Sequence, residues 1–555
     1  MMVNLFRKQS KSIQKDVLSG LTVSLALVPE AVAFAFVAGV DPLVGLYGAF
    51  IMGIITSIFG GRPGMISGAT GAMAIVMVGL IQHGNVYGLG LEEPIQNLGL
   101  QWLFITLLIV GAIQITAGIA KVGKFVRLIP HSVMMGFVNG LAIVIFLSQL
   151  GMFKEFALDN LGQKVLMGDG SFMKQFIGGN ALLLMVGLVA LTMGIMYGLP
   201  KLTKKIPAAL TAIIVVAGIV IFGGMDVSTV GSFVREGAQN PEAGIAGGLP
   251  TLQIQLLDIF PSLNWEAMRH ILPTAVLLAA VGLIESLMTL NLIDEITDTR
   301  GSGNKECIAQ GAANMANGLF GGMGGCAMIG QSIINVNAGG RGRLSGIIAA
   351  LALLCFILFG SELIEQIPIA ALIGVMFMVV IGTFAWSSFR ILNKIPFSDA
   401  FVLILVSALT VMFDLAIAVI AGVIVSALVF SWENAKRIRA RKHISENGVK
   451  IYEIWGPLFF GSIHAFNQKF DVVNDPDSIE IDFMESKVSD HSGIEALRGI
   501  VNKYEEAGKS VTLKHLSTDC KKLLIKRNIK FDEIIQSNID DPRYHVVSDT
   551  AGIME

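Results

Sequence analysis

Two glutamates stand inside apolar runs, Glu30 in "LVPEAVAF" and Glu285 in "GLIESLMTLN". A carboxyl group at such a position is costly and marks a function by default. Pro29 removes the amide just before Glu30 and loosens that helix. Thr289 follows Glu285 by one helical turn on the same face. Glu30 and Glu285 could take up a proton, which burial favours. Glu285 and Thr289, with nearby carbonyl oxygens, could instead ligate Na⁺. Either glutamate could also brace neighbouring backbone amides.

Two other stretches break the apolar pattern with small residues: "ISGATGAMAIVM" (66–77) and "GGMGGCAMIGQSIINV" (321–336). Glycine lets a ligand approach the backbone, and a helix that starts mid-membrane presents free amides and a positive dipole end to an anion. Candidate anion contacts are therefore Thr70, Gly71 and Ala72 in the first stretch. In the second they are Ala327, Met328, Ile329, Gln331 and Ser332. Phe34 and Phe36 are placed either to wall that space or to fill ordinary core. The small residues could also serve close helix packing alone; two patches at matched positions favour the site.

The elements that must carry these groups are membrane helices. Of 555 residues, 53% are hydrophobic and only 15% charged, where soluble proteins carry about a quarter; the mean hydropathy is +0.69. Apolar runs near the ~20 residues needed to cross a bilayer begin near residues 19, 41, 68, 101, 129, 181, 205, 268, 305, 327, 343, 367, 396 and 413. Basic residues follow every even-numbered run: Arg62; Lys121, Lys124 and Arg127; Lys201, Lys204 and Lys205; Arg300 and Lys305; Arg341 and Arg343; Arg390 and Lys394; then "KRIRARK". Short intervening loops such as "GVDP" and "GSELIEQIP" carry none. Lys154, Lys164 and Lys174 in a longer loop, and the long 225–268 segment, are weak exceptions. Both termini are expected on the cytoplasmic side of a plasma (inner) membrane. No cleavable signal peptide is evident at the start. Four scattered cysteines (Cys307, Cys326, Cys355, Cys520) read as reduced packing residues. The net charge of −2 says little.

The two small-residue stretches are third in each set of seven runs. Seven is odd, so the halves run in opposite senses, and glycine-interrupted segments at matched positions of an inverted repeat point to a transporter's binding site. A helical piece of about 15 residues covers only ~22 Å, so each span needs extended backbone, tolerable where it lines a cavity.

The stretches "DVLSGLTVSLALVPEAVAFAFVAGVDPLVGLYGAF", "GATGAMAIVM", "NKECIAQGAANMANGLFGGMGG" and "NAGGRGRLSG" resemble the sulfate permease family of anion transporters. The resemblance implies an α-helical polytopic protein of fourteen spans in a seven-plus-seven inverted repeat, with core and gate subdomains. It implies elevator-like transport, with substrate between spans three and ten, flanked by one and eight; Na⁺ at Glu285 and Thr289, as in bicarbonate-carrying relatives, stands as the alternative to a proton. Animal relatives commonly carry an arginine where this chain has Gln331. Its absence favours cation coupling over channel-like conductance. The expected function is Na⁺- or H⁺-coupled symport of sulfate or bicarbonate; alternatives are a dicarboxylate:H⁺ symporter and an anion exchanger or channel.

Beyond the intramembrane groups, Asp294, Glu295 and Asp298 read as solvated or paired with Arg300, and Asp414, His83 and His131 as interfacial. The domain reading is a cytoplasmic segment (1–18), a transport domain (19–433), a basic linker (434–447) and a soluble α/β domain (448–555). The last resembles the STAS domain and is expected to be regulatory and to support a homodimer. In its "DHSG" (490–493), Ser492 reads as a helix N-cap with Glu495, above a phosphorylation position. No enzymatic constellation, nucleotide loop or metal spacing stands out, so neither a cofactor nor a nucleic-acid partner is expected.

Overall fold

A computed structural model describes residues 2–91, 95, 97–123, 130–156, 174–203, 208–238, 247–253, 264–413, 415–516, 518–527 and 530–536. Lys124, Arg127, Lys164, Lys204, Lys205 and Asp414 lie outside the described residues. The chain forms two compact units, Met1–Val423 and Ile424–Glu555.

Helices begin close to the expected positions. They are α1 (Met2–Ala38), α2 (Pro42–Phe59), α3 (Gly71–Leu89), α4 (Leu98–Ile119), α5 (His131–Leu150), α6 (Gly179–Leu202) and α7 (Ala208–Phe222). The second set is α8 (Trp265–Thr297), α9 (Gly303–Phe320), α10 (Ile329–Asn337), α11 (Arg343–Phe359), α12 (Ile369–Thr383), α13 (Phe397–Met412) and α14 (Leu415–Ala435). The first starts well before residue 19, and its apolar part is Ile13–Ala38. Among the described residues, eight helices are long and apolar enough to cross a membrane, and four more are apolar but shorter.

Packing sorts the helices into two groups. α1–α4 pack with α8–α11, while α5–α7 pack with α12 and α13. Within the first group α4 and α9 touch backbone to backbone. A Cβ on Gly111 would lie 2.5 Å from the Gly311 carbonyl oxygen, and one on Gly311 would lie 2.7 Å from that of Gly111. With lipid outside and no water to expel, such small-residue contact is what holds neighbouring helices together.

Two strands of three residues, β1 (Ser67–Ala69) and β4 (Gly325–Ala327), precede α3 and α10 and pair antiparallel. Between them in sequence, Lys154–Phe156 (β2) and Lys174–Phe176 (β3) form a hairpin that holds Lys154 and Lys174. α10 has nine residues, ~14 Å of helix. α3, by contrast, runs 19 residues and is not the short piece expected. Its last turns reach exposed Val86 and Leu89, beyond the packed interior.

In the second unit a four-stranded sheet runs β5 (Arg439–Ile444), β6 (Lys450–Trp455), β7 (Ser478–Glu485), β8 (Ser510–Lys514). The β5–β6 pair is antiparallel and the others parallel. Two helices, α15 (His491–Glu506) and α16 (Thr518–Arg527), follow β7 and β8. β7 alternates buried Ile479, Ile481 and Phe483 with polar neighbours, the period-2 pattern of a half-buried strand. The basic stretch expected as a linker instead supplies the edge strand β5; its charges are exposed, as suits a sheet edge.

Candidate functional site

The β1–β4 pair sets the site. Ser67 lies opposite Ala327, Gly68 opposite Cys326 and Ala69 opposite Gly325. The Met328 amide donates to the Ile66 carbonyl at 2.9 Å and extends the pairing. α3 and α10 therefore start side by side from opposed strands, with Thr70 and Met328 as their N-caps. Neither start is capped by a side chain, so first-turn amides and the positive dipole end remain for a ligand.

Both starts border a cavity of about 610 Å³. Glu30, Phe34, Thr70, Gly71, Ala72 and Glu285 line it, as do Met328, Ile329 and Gln331. Nine of the expected residues thus share one wall, built by α1, α3, α8 and α10. The facing wall comes from α5, α6, α7 and α12 and is almost wholly apolar, with Phe137, Leu141 and Val375 typical of it. Among the described lining residues there is no Lys, Arg or His. On the lining, Phe34, Ala72 and Phe137 are buried, whereas Pro200, Gly330, Ile334 and Gly382 are exposed.

The two carboxyl groups are buried and engaged. The Gln331 side-chain amide donates to Glu30. The Cys326 thiol donates to Glu285 Oε2 at 2.9 Å. Thr70 Oγ1 lies 3.1 Å from the same sulfur. Gln331, expected as an anion contact, thus also fixes Glu30.

Three expected residues are absent from the lining. Ala327 is fully buried and its amide donates to Ser286 Oγ at 3.1 Å. Ser332 Oγ accepts from the Ile66 amide at 3.0 Å. The Thr289 hydroxyl donates back to the Glu285 carbonyl at 2.8 Å and lies 3.4 Å from that of Ala327. The Ser332 hydroxyl is held by a backbone amide that would otherwise be buried without a partner, and the Thr289 hydroxyl bonds back into its own helix. Phe36 packs its ring 4.4 Å from Phe233, centroid to centroid, while Phe34 faces the cavity. Asp294 pairs with Arg62 at 3.1 Å and accepts from the Gly301 amide, not with Arg300. His83 Nδ1 meets the Gly79 carbonyl at 2.7 Å.

A set of positioning residues was not anticipated. Glu306, Gln310, Asn314 and Asn317 are buried on one face of α9. Glu306 accepts from the Gly61 amide at 2.8 Å. Gln310 donates to Ser67 Oγ in β1 at 2.9 Å. Asn314 clasps Gly325 in β4 through both its amide and its carbonyl, at 2.9 and 3.0 Å. The spacing i, i+4, i+8, i+11 of polar residues in "ECIAQGAANMAN" is the signal that could have found them.

In the second unit, Asp490 rather than Ser492 caps α15, accepting from the Gly493 amide at 2.8 Å. Buried Asp475 accepts from Lys450, from Tyr452 at 2.6 Å and from Tyr504. Burial works against the Asp475 charge, but the hydrogen bonds from Lys450, Tyr452 and Tyr504 outweigh it and hold its carboxyl below the usual range. Burial, reinforced by the bond to Asp475, pushes the Tyr504 phenol well up.

Residues 13–406 match the sulfate permease family and residues 442–542 the STAS domain. The chain is 40% identical to "Putative sulfate transporter YbaR" of Bacillus subtilis (strain 168), over 92% of this chain and 96% of that one. It is 29% identical to "Bicarbonate transporter BicA" of Synechocystis sp., over 97% of this chain and 94% of that one. The transmembrane domain of a cyanobacterium bicarbonate transporter BicA superposes with a TM-score of 0.58 at 30% identity, covering 74% of this chain and 97% of that one. SLC26A9 superposes with a TM-score of 0.74 at 17% identity, covering 96% and 89%, a likeness of fold.

Proposed function

Because the chain belongs to the sulfate permease family and is a membrane transporter, not an enzyme, we propose that it carries sulfate or bicarbonate inward by symport with Na⁺ or H⁺. The observation that carries this reading is the pair of uncapped helix starts, α3 and α10, opening on one cavity with Glu30 and Glu285. The anion sits against the first-turn amides and the Thr70 hydroxyl. The cation neutralises the carboxylates beside it, so neither ion binds well without the other.

The division of the walls supports an elevator-like movement. Nearly every polar lining group is on the α1–α4 and α8–α11 group, and the facing wall offers an apolar surface to slide along. The sorting of α1–α4 with α8–α11, and of α5–α7 with α12 and α13, fits an inverted repeat. The positive-inside pattern puts both termini in the cytoplasm. Lys201, Arg341 and Arg390 mark that side, and exposed Pro200, Ile334 and Gly382 of the cavity lie at the same helix ends. The described conformation is then inward-facing. A homodimer supported by the STAS unit completes the proposal.

Purified protein in liposomes, given labelled sulfate, bicarbonate or succinate under imposed Na⁺ or pH gradients, tests the reading. Sulfate or bicarbonate uptake that follows a cation gradient is expected. Uptake indifferent to cations makes the protein an exchanger or channel, and uptake of succinate alone makes it a dicarboxylate carrier.

A further inference from the structure

Glu285 and Thr70 both line the cavity, one on α8 and one at the start of α3. Between them, behind the wall and fully buried, lies Cys326 of β4. Its sulfur is 2.9 Å from Glu285 Oε2 and 3.1 Å from Thr70 Oγ1. A thiol has one hydrogen to donate and can accept another weakly. We propose that Cys326 is a positioning residue that relays cation occupancy at Glu285 to the hydroxyl of Thr70.

The relay follows from counting hydrogens. With Glu285 free of a cation, its carboxylate is the strongest acceptor within reach, so the thiol hydrogen points at Oε2. The sulfur is then open to accept, and the Thr70 hydroxyl hydrogen turns toward it and away from the cavity. A cation on Glu285 engages the carboxylate oxygen. A proton on Oε2 makes that oxygen a donor toward sulfur, and Na⁺ on it draws off the charge that made it the strongest acceptor. In either case Oε2 stops being the better acceptor, and the thiol hydrogen swings to Thr70 Oγ1. The Thr70 hydrogen is released into the cavity, where it can donate to an anion beside the amides of Gly71 and Ala72. No covalent bond changes; only the torsions that aim two hydrogens do. Cation binding thus adds one donor to the anion site, the sign that symport needs.

The backbone holds the relay in place. Asn314 fixes Gly325 just before Cys326, and Ser286 fixes Ala327 just after it. The backbone that carries the sulfur therefore cannot follow Glu285 without breaking the β1–β4 pair.

This inference rests on the symport reading, and one set of measurements separates the two. Full-length protein in liposomes is given whichever of labelled sulfate and bicarbonate the wild type takes up, with and without the coupling cation. In wild type, cation lowers the half-saturation concentration for the anion. Cys326→Ala removes donor and acceptor alike. Its half-saturation at saturating cation is expected to rise about tenfold toward the cation-free value, the scale of one hydrogen bond, with maximal rate within about twofold. Cys326→Ser restores a group that donates and accepts, and with it the cation effect. Should Cys326→Ala not reconstitute, Thr70→Val cuts the other end of the chain and must give the same loss. A Cys326→Ala protein, or in its place a Thr70→Val protein, that keeps the wild-type cation effect overturns the relay alone. A wild type without any cation effect overturns the symport reading and the relay with it.

Discussion

Gly68 of β1 lies opposite Cys326 of β4, so the extended leads into α3 and α10 are one paired unit and not two independent broken helices. Anything that spreads this pair moves both helix starts at once, and with them the cavity wall that carries Thr70 and Gln331.

Gly325 is where that pair is tightest. A Cβ there would lie 2.2 Å from the Gly68 carbonyl oxygen, which is backbone and cannot turn aside. A Cβ on Gly68 would press on the Met328 sulfur at 3.0 Å, at the end of a flexible side chain, and meet Leu27 and Ala49 at ordinary contact distances of 3.5 and 3.7 Å. Gly325→Ala is expected to cost more than about 2 kcal/mol of stability and to abolish uptake. Gly68→Ala should keep most of both. Thermal unfolding in detergent together with liposome uptake decides it, and equal tolerance of the two changes refutes the account.

Glu285→Gln removes the cavity charge proposed to meet the coupling cation while keeping the shape. Cation-driven uptake should fall about ten- to a hundredfold, the worth of one charge-assisted interaction, with the unfolding temperature unchanged. Cation dependence equal to wild type would refute a coupling role.

Gln331→Arg places a fixed cation against Glu30, to which Gln331 already donates. The half-saturation concentration of the coupling cation should rise at least about tenfold, because Glu30 is neutralised in advance. Uptake at varied Na⁺ or pH measures it, and an unchanged cation requirement counts against Glu30 as a coupling group.

The second unit should lose stability at both ends of the pH scale. The Asp475 carboxyl lies below its ordinary value when folded. Its contribution is therefore full above about 4 and disappears as pH falls through the folded value. Tyr504 lies above its ordinary value, so its contribution is full below about 10 and drains away as pH rises beyond that. Asp475→Asn should cost about 1–3 kcal/mol near neutrality and flatten the acid limb. Hydrogen exchange of β6 and β7 amides in the full-length protein, followed from pH 3 upward, reports it. An acid limb as steep in the variant as in wild type would remove Asp475 from the explanation.

The sequence by itself determined what is local or periodic. Apolar runs of spanning length located the helices, and Gly-Ala-Thr-Gly against Gly-Gly-Cys-Ala pointed to two interrupted segments. Carboxyl groups inside apolar runs singled out Glu30 and Glu285, which the fold brings to one cavity. Tertiary structure alone decided which polar atoms face that cavity. Ser332, Thr289 and the Ala327 amide are spoken for by partners that side-chain type cannot disclose. Cys326, a packing residue by every local criterion, sits between Thr70 and Glu285, 256 and 41 positions away in the chain. The physical reason is the same in each case. Hydrophobic burial repeats with the geometry of one element and so is written along it, whereas a buried hydrogen bond is satisfied by whatever group the packing of distant elements delivers.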